Sequence, residues 1–186
     1  MVIRRLLNAY TRLLKERTLF TQVTTAGIIF PTSDAIAQHL IDKKAWIEHD
    51  YARTLRYVVY GALAWTPIAN RWHAFLNSIV FSTPFRTMVG RIATDMTIFA
   101  PFATAYFFTT MGIMEGKSWQ DIRTGLNMNM SSVTLTNISV FGPAQVINLS
   151  FMPLHARPPF LNCVSLGYNC FLATVNHPIK STESQK

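Results

Sequence analysis

Isolated ionisable and amide side chains interrupt the longest apolar stretches of this sequence. Asp34 and Gln38 lie one helical turn apart, and Arg71 and Asp95 each stand in or beside a mostly apolar segment. A charged group inside a bilayer is costly, so such a group points into the protein or at water and marks a functional site. These residue types therefore suit either the lining of a polar path or hydrogen bonding between helices.

A second polar set lies in the apolar region 124–152. Asn137, Gln145 and Asn148 fall within about 80° of one another on a helical wheel of 100° per residue. Polar groups surrounded by lipid need partners. Two interpretations stay open for this stripe: hydrogen bonds between helices, and the lining of an aqueous path.

Catalytic motifs are missing from the sequence. It contains no Gly-x-Ser-x-Gly, His-Glu-x-x-His, P-loop or glycine-rich dinucleotide motif, and its five histidines lack metal-ligand spacing. Cys163 and Cys170 would lie about 10.5 Å apart along one helix, too far for a disulfide. We therefore expect no enzymatic reaction, no metal and no cofactor.

The distribution of charge indicates the elements that position these residues. Charged residues make up 14% and hydrophobic residues 49% of the chain, and the mean hydropathy is +0.20. No Asp, Glu, Lys or Arg occurs over 18–33, 96–114, 124–156 or 158–179. A transmembrane helix needs about 20 mostly apolar residues. This pattern excludes a disordered or disulfide-rich chain and predicts an all-α polytopic membrane bundle of four or five transmembrane helices.

The net charge of +8 raises the question of nucleic-acid binding. The basic residues are spread over every charged island, and no nucleic-acid module is recognisable. They are better explained by lipid headgroups at the ends of membrane helices. The expected partners are therefore the lipid bilayer, small solutes and other copies of the chain, without nucleic acid.

The N-terminal segment, 1–18, is predicted to be an amphipathic basic helix. Five basic residues and one acid accompany leucines at helical spacing, which suits an anionic surface and is typical of a mitochondrial address. The other units are a transmembrane bundle over 19–176 and a polar tail over 177–186. Candidate spans cover about 19–40, 57–81, 92–114, 124–152 and 160–174.

Prolines and charges inside these spans predict local features. Asp34 either lies within the first span or caps a new helix that begins after Pro31. Pro67 should kink the second span, and Gly142-Pro143 should break or kink the fourth. Arg91 and Asp95 are spaced for an i, i+4 ion pair at the start of the third.

Several polar motifs punctuate these spans in a recognisable order. They are, along the chain, Ser33-Asp34 with Gln38; Asp50 with Arg53 and Arg56; Thr66-Pro67 with Asn70-Arg71-Trp72; Asp95 with Pro101; Asn137 and Phe141 with Gln145, Asn148, Pro153 and Arg157; and Tyr168-Asn169. Together they resemble the Mpv17/PMP22 family over about 10–173. Ile138, Phe141 and Gly142 depart from the tryptophans and proline of that family's C-terminal signature, so the chain is similar to a divergent member.

The resemblance implies a small all-helical membrane protein without a cofactor, in the mitochondrial inner membrane or alternatively the peroxisomal membrane. Channel-like passage of small solutes is the leading expectation; a structural or assembly role through helix contacts is the alternative. The predicted pore or polar-network residues are Asp34, Gln38, Arg53, Arg56, Arg71, Asp95, Asn137, Gln145, Asn148 and Arg157.

Overall fold

The computed structural model describes residues 9–14, 16–152 and 157–176, and all its regular elements there are helical. A helical segment at 9–14 precedes α1 (Thr18–Ile36), which continues as a π-helical segment, Ala37–Ile41. A 3-10 turn, Trp46–Glu48, leads to α2 (Tyr51–Val59), a π-helical segment (Tyr60–Trp65) and α3 (Thr66–Ser78). Then follow α4 (Pro84–Thr94), a π-helical segment (Asp95–Phe99), α5 (Ala100–Met114), α6 (Trp119–Ser150) and α7 (Arg157–Asn176).

The all-α prediction is confirmed over the described residues. Only one helix there, Pro84–Met114, is long and apolar enough to cross a membrane by length and composition. The number of membrane spans, four or five, therefore stays a prediction. The helical segment at 9–14 lies within the predicted N-terminal helix, of which residues 1–8 and 15 are outside the described residues.

Prolines shape the helices without ending them. Pro67 and Pro101 each occupy the second position of an α-helix that directly follows a π-helical segment. Proline lacks an N–H and its ring crowds the preceding turn, so a wider π turn accommodates it. The distortion expected at Pro67 takes this form, while the helix itself runs on.

The structure decides between the two alternatives for Asp34 and excludes a break of the helix at Pro143. Helix α1 contains both Pro31 and Asp34, so Asp34 lies inside a helix and does not cap one. Helix α6 likewise continues through Pro143. Pro143 and Ser139, whose carbonyl loses its intrahelical partner, are both exposed, so neither the ring nor the freed carbonyl is forced against a neighbouring helix.

Helix α1 organises the packing. It contacts α2, the Tyr60–Trp65 segment and α7, while α6 packs against α5 and α7. The buried core that these contacts enclose is mainly aromatic. It comprises Phe30, Ala37, Tyr57, Tyr60, Phe107, Phe108, Met111, Val133, Tyr168, Leu172 and Ala173.

Gly61 allows α1 to pack closely against the π-helical segment Tyr60–Trp65. A Cβ atom built at this position would collide with the ring of Phe30, which also packs edge-on against Tyr60 at 5.5 Å between ring centroids. Glycine therefore permits this close approach because it lacks a side chain. Trp65 and Trp72, expected at an interface or in packing, both stack on Phe99.

Candidate functional site

A buried ion pair joins the end of α1 to the start of α2. Asp34 is fully buried and Arg53 is 2% exposed, and the Arg53 Nε donates to Asp34 Oδ1 at 2.6 Å. The same guanidinium donates through Nη1 to Asp42 Oδ2 at 3.0 Å and through Nη2 to the carbonyl oxygen of Ala173 at 3.2 Å. Three helical elements therefore meet at one side chain. Its charge is matched at close range, as a buried charge requires.

Gln38 and Thr54 complete the coordination of the Asp34 carboxylate. Gln38 Nε2 donates to Asp34 Oδ2 at 2.8 Å, and the Thr54 hydroxyl donates to the same oxygen at 2.6 Å. The Gln38 Oε1 accepts from the backbone N–H of Asp50 at 2.8 Å, which fixes the orientation of the amide. Sequence spacing therefore correctly placed Asp34 and Gln38 on one face. The structure adds that residues of α2 cover the helix face that carries Asp34 and Gln38.

The connection between α1 and α2 brings two histidines together. The chain reverses at Lys43, a non-glycine residue with φ of 54°, and returns His49 to His39. The His39 Nε2 lies 3.0 Å from His49 Nδ1, and His39 Nδ1 lies 3.0 Å from the carbonyl oxygen of Lys44. His49 Nε2 lies 3.0 Å from the hydroxyl of Thr54. A hydrogen-bonded line therefore runs from the half-buried loop to the buried carboxylate.

Asp50 begins helix α2. Its Oδ1 accepts the backbone N–H of Arg53 at 2.8 Å, an N-cap that satisfies one of the free amides of the first turn. This hydrogen bond holds the pKa of Asp50 below its ordinary value, with smaller help from the charges of Arg56, Lys44 and Arg53. The Asp-x-x-Arg spacing thus marks a helix cap, while the ion pair of Arg53 is made with Asp34.

Glu115 and Asn176 form a second polar contact at the same end of the bundle. Asn176 Nδ2 donates to Glu115 Oε1 at 2.7 Å, and Lys117 Nζ lies 2.6 Å from Glu115 Oε2. Because Ala173 on α7 contacts Arg53, this end of α7 is held by hydrogen bonds both to the α1–α2 junction and to the turn after α5. The arrangement fixes the last helix at its C-terminal end.

Asp95 lies apart from this network. Its Oδ1 accepts the indole N–H of Trp72 at 2.7 Å. The predicted i, i+4 pair with Arg91 is wrong: Arg91 donates to the carbonyl oxygens of Asn77 at 2.7 Å and Ile79 at 3.0 Å. Carbonyls at the end of a helix lack intrahelical donors and attract a cation, which explains the preference of Arg91 for the end of α3.

The amides of α6 occupy three different environments. Asn148 is buried and its Oδ1 has no hydrogen-bond partner among the described residues, while Gln145 is half-buried. Asn137 on α6 lies near the Tyr168 hydroxyl on α7. This proximity agrees with a role of Asn137 between helices.

Three predicted arginines do not join the Asp34 network through any described contact. Arg56 is half-buried and its Nε has no hydrogen-bond partner within the described ranges, whereas Arg71 is exposed. Arg157 is the first residue of α7, and its side chain lies outside the described residues. The structure therefore assembles Asp34, Gln38 and Arg53, and leaves the other six predicted residues whose side chains are described at separate positions.

Sequence reasoning missed His39, His49, Asp42 and Thr54 as members of the network. The histidines lack metal-ligand spacing in the sequence, and the described residues hold no group of three or more His, Cys, Asp or Glu that could bind a metal ion. The available signal was that a short polar connection, 42–50, returns the chain beside the acid at 34.

Sequence reasoning also missed an exposed polar stripe on the first half of α6. Gln120, Thr124, Asn127 and Ser131 are all exposed and fall within about 60° of one another on a helical wheel. Their spacing of three or four residues is visible in the sequence. It marks one face of the helix.

Over the described residues the chain is helical, with a buried ion pair between α1 and α2 and with hydroxyl and amide groups along α6, features that also occur in membrane proteins. A family model, the Mpv17 / PMP22 family, matches residues 112–173. The chain belongs to the Mpv17/PMP22 family.

The relatives span nearly the whole chain. Protein sym-1 of Neurospora crassa is 34% identical over 173 residues, which cover 92% of this chain and 99% of that protein. Protein SYM1 of Saccharomyces cerevisiae is 33% identical over 181 residues, covering 94% and 92%. Protein sym1 of Aspergillus oryzae is 34% identical over 168 residues, covering 90% and 95%. No solved structure gives a significant match.

Proposed function

We propose that the chain is an integral protein of the inner mitochondrial membrane that passes small solutes along a polar path lined by the exposed stripe of α6. Family membership supports an organelle membrane protein. The basic N-terminal segment supports the mitochondrion over the peroxisome. The proposed role involves no catalysed reaction.

The observation that carries this proposal is the polar stripe Gln120, Thr124, Asn127 and Ser131 on an outer face of α6. Its last two members, Asn127 and Ser131, lie beyond Arg123, after which the helix carries no Asp, Glu, Lys or Arg, and the proposal places this part of the helix in the bilayer. Exposed amide and hydroxyl groups at that depth need water or polar partners. A path formed where this face meets other copies of the chain supplies both.

The buried network is a poor lining for such a path. Asp34 and Arg53 are closed off from solvent, and their polar atoms bond to groups of the chain itself. We therefore assign Asp34 and Arg53, which the sequence suggested as pore-lining residues, a role in stabilising the bundle. The exposed stripe is the better candidate for contact with solutes.

The test compares two neighbouring substitutions on α6 in purified protein reconstituted into liposomes. Asn127→Leu removes a polar group from the stripe, while Met128→Leu changes an apolar residue that is 75% exposed beside it. Solute efflux and conductance should fall with Asn127→Leu and stay at the wild-type level with Met128→Leu. Wild-type protein that gives no flux, or equal flux from both variants, would contradict the proposal.

A structural or assembly role is the second candidate, favoured by how completely the Asp34 carboxylate is coordinated. In that case the amides of α6 hold helices together. Alanine at Asn148 or Gln145 would then weaken the bundle or its assembly in detergent, and no substitution on the stripe would alter permeability.

A further inference from the structure

The two histidines of the α1–α2 connection belong to an unbroken line of four short contacts. It runs from the Lys44 carbonyl to His39, from His39 to His49, from His49 to the Thr54 hydroxyl, and from there to Asp34. The distances are 3.0, 3.0, 3.0 and 2.6 Å. Each contact is within hydrogen-bond range, so each needs one proton between its two heavy atoms.

Neutral imidazole and hydroxyl groups carry too few protons for these four contacts. A neutral imidazole carries one N–H and a hydroxyl carries one O–H, so His39, His49 and Thr54 together offer three protons for four contacts. The Lys44 carbonyl only accepts, which assigns a proton to His39 Nδ1. With two neutral rings, one of the remaining contacts would bring two lone pairs face to face at 3.0 Å or less.

The carboxylate end of the line is fixed by its other donors. Asp34 Oδ1 accepts from the Arg53 Nε at 2.6 Å, and Asp34 Oδ2 accepts from Gln38 Nε2 at 2.8 Å. A guanidinium and an amide directed at both oxygens favour the ionised carboxylate over the acid. The proton that completes the line therefore belongs at the other end, on the imidazoles.

We propose that the His39–His49 pair is a binding site for one additional proton, so that the two rings share a single positive charge. The pair then donates to the Lys44 carbonyl at one end and to Thr54 at the other. The Thr54 oxygen has room for this, because it accepts from Gln38 Nε2 at 3.2 Å while its own proton goes to Asp34. With Asp34 as a carboxylate, all four contacts are satisfied together only in this state.

An aromatic ring supports the positive charge. Trp46 stacks on His39 with ring centroids 3.8 Å apart and an interplanar angle of 28°. A cation over the face of an indole is stabilised by the ring quadrupole. His49 packs against the Tyr51 ring at 4.7 Å. Each ring of the pair therefore contacts an aromatic side chain.

The surrounding formal charges are balanced before the proton is added. The connection and α1 contribute acids and lysines, α2 contributes two arginines, and α7 contributes no charged side chain over 160–176. The facing groups are Asp34, Asp42, Lys43, Lys44, Glu48, Asp50, Arg53 and Arg56. The hydrogen-bond pattern, and not an excess of nearby acids, therefore defines the proton site.

The experiment counts protonated ring nitrogens directly. The full-length chain is labelled with ¹⁵N-histidine, purified in detergent and studied by NMR at pH 7.5, where an ordinary imidazole with a pKa of about 6.5 is mostly neutral. His39→Gln, His49→Gln and His73→Gln assign the signals. The wild-type pair should show three proton-bearing nitrogens out of four, whereas two neutral rings show two.

The Thr54→Val variant tests whether the hydrogen-bonded line is the cause of the third proton. Valine keeps the shape of the side chain but removes the hydroxyl, so the neutral pair can satisfy its remaining contacts and the count should fall to two. Thr32→Val is the matched control, because the Thr32 hydroxyl on α1 bonds only the carbonyl of Ile28. Its count should stay at three.

Two results would overturn the proton site. One is a count of two in the wild-type protein at pH 7.5. The other is a count of three that persists in Thr54→Val, which would place the cause outside the hydrogen-bonded line. If Thr54→Val does not fold, the wild-type count alone decides the question.

Discussion

Replacing Asp34 by Asn should destabilise the folded chain far more than removing an ion pair of the same length from the surface. The substitution keeps the shape of the side chain but removes the nearer of the two counter-charges of Arg53, which is 2% exposed and keeps only Asp42 at 3.0 Å. Breaking a buried ion pair by removing one partner costs about 3–5 kcal/mol. This corresponds to roughly a 100-fold or larger change in the folding equilibrium.

The matched control is the exposed pair of Arg12 and Glu16. Its Nε–Oε1 distance is 2.7 Å, close to the 2.6 Å of the buried pair, but its side chains are 78% and 54% exposed. An exposed pair contributes about 0–1 kcal/mol, so Arg12→Gln should cost little. The two variants therefore differ in burial far more than in distance.

The assay is unfolding of the full chain in detergent, followed by the fluorescence of its four tryptophans. Combining Asp34→Asn with Arg53→Gln should cost less than the sum of the single changes, because both substitutions break the same Asp34–Arg53 contact. Equal losses from Asp34→Asn and Arg12→Gln would refute the reasoning, as would strict additivity of the two buried substitutions.

Three further outcomes follow from single contacts. Asp50→Ala should lower the free energy of unfolding by about 1 kcal/mol, because it removes an N-cap. Folding lowers the pKa of Asp50, so this contribution is complete above about pH 4 and is lost as the pH falls further. Unfolding measured at pH 7 and at pH 3 will show the difference. Gly61→Ala should lower the free energy of unfolding by about 1–3 kcal/mol because its Cβ meets Phe30, and Gly27→Ala, where space is open, should not. Trp72→Phe should cost about 1.5–3 kcal/mol, read from thermal unfolding, because the carboxylate of Asp95 loses its indole donor.

The placement of Asp34 and Gln38 could be predicted because it depends only on helical spacing. The two side chains are four residues apart and do meet, as the i, i+4 rule requires. The partner of Asp34 could not be predicted in the same way. Arg53 is 19 residues away and is also close in sequence to Asp50, so local spacing favours the wrong acid.

The contact between His39 and His49 could not be predicted from the sequence, for a geometric reason. His39 and His49 meet only because the chain turns back at Lys43 in a left-handed conformation that its residue type does not indicate. Of the break or kink expected at Gly142-Pro143, the break does not occur, for a different reason. The sequence shows a helix-breaking residue but not that its ring lies on an exposed side, where it meets no neighbouring helix.

The contacts of Arg53 also imply an order of events during synthesis. Its partners Asp34 and Asp42 precede it in the chain, so a hairpin of the first two helices already contains both counter-charges. In the proposed membrane placement, insertion of this hairpin therefore moves a guanidinium that already has two carboxylate partners, which is far less costly than moving a lone guanidinium. The third partner, Ala173, is made 120 residues later, and its carbonyl can join only when the final helix arrives.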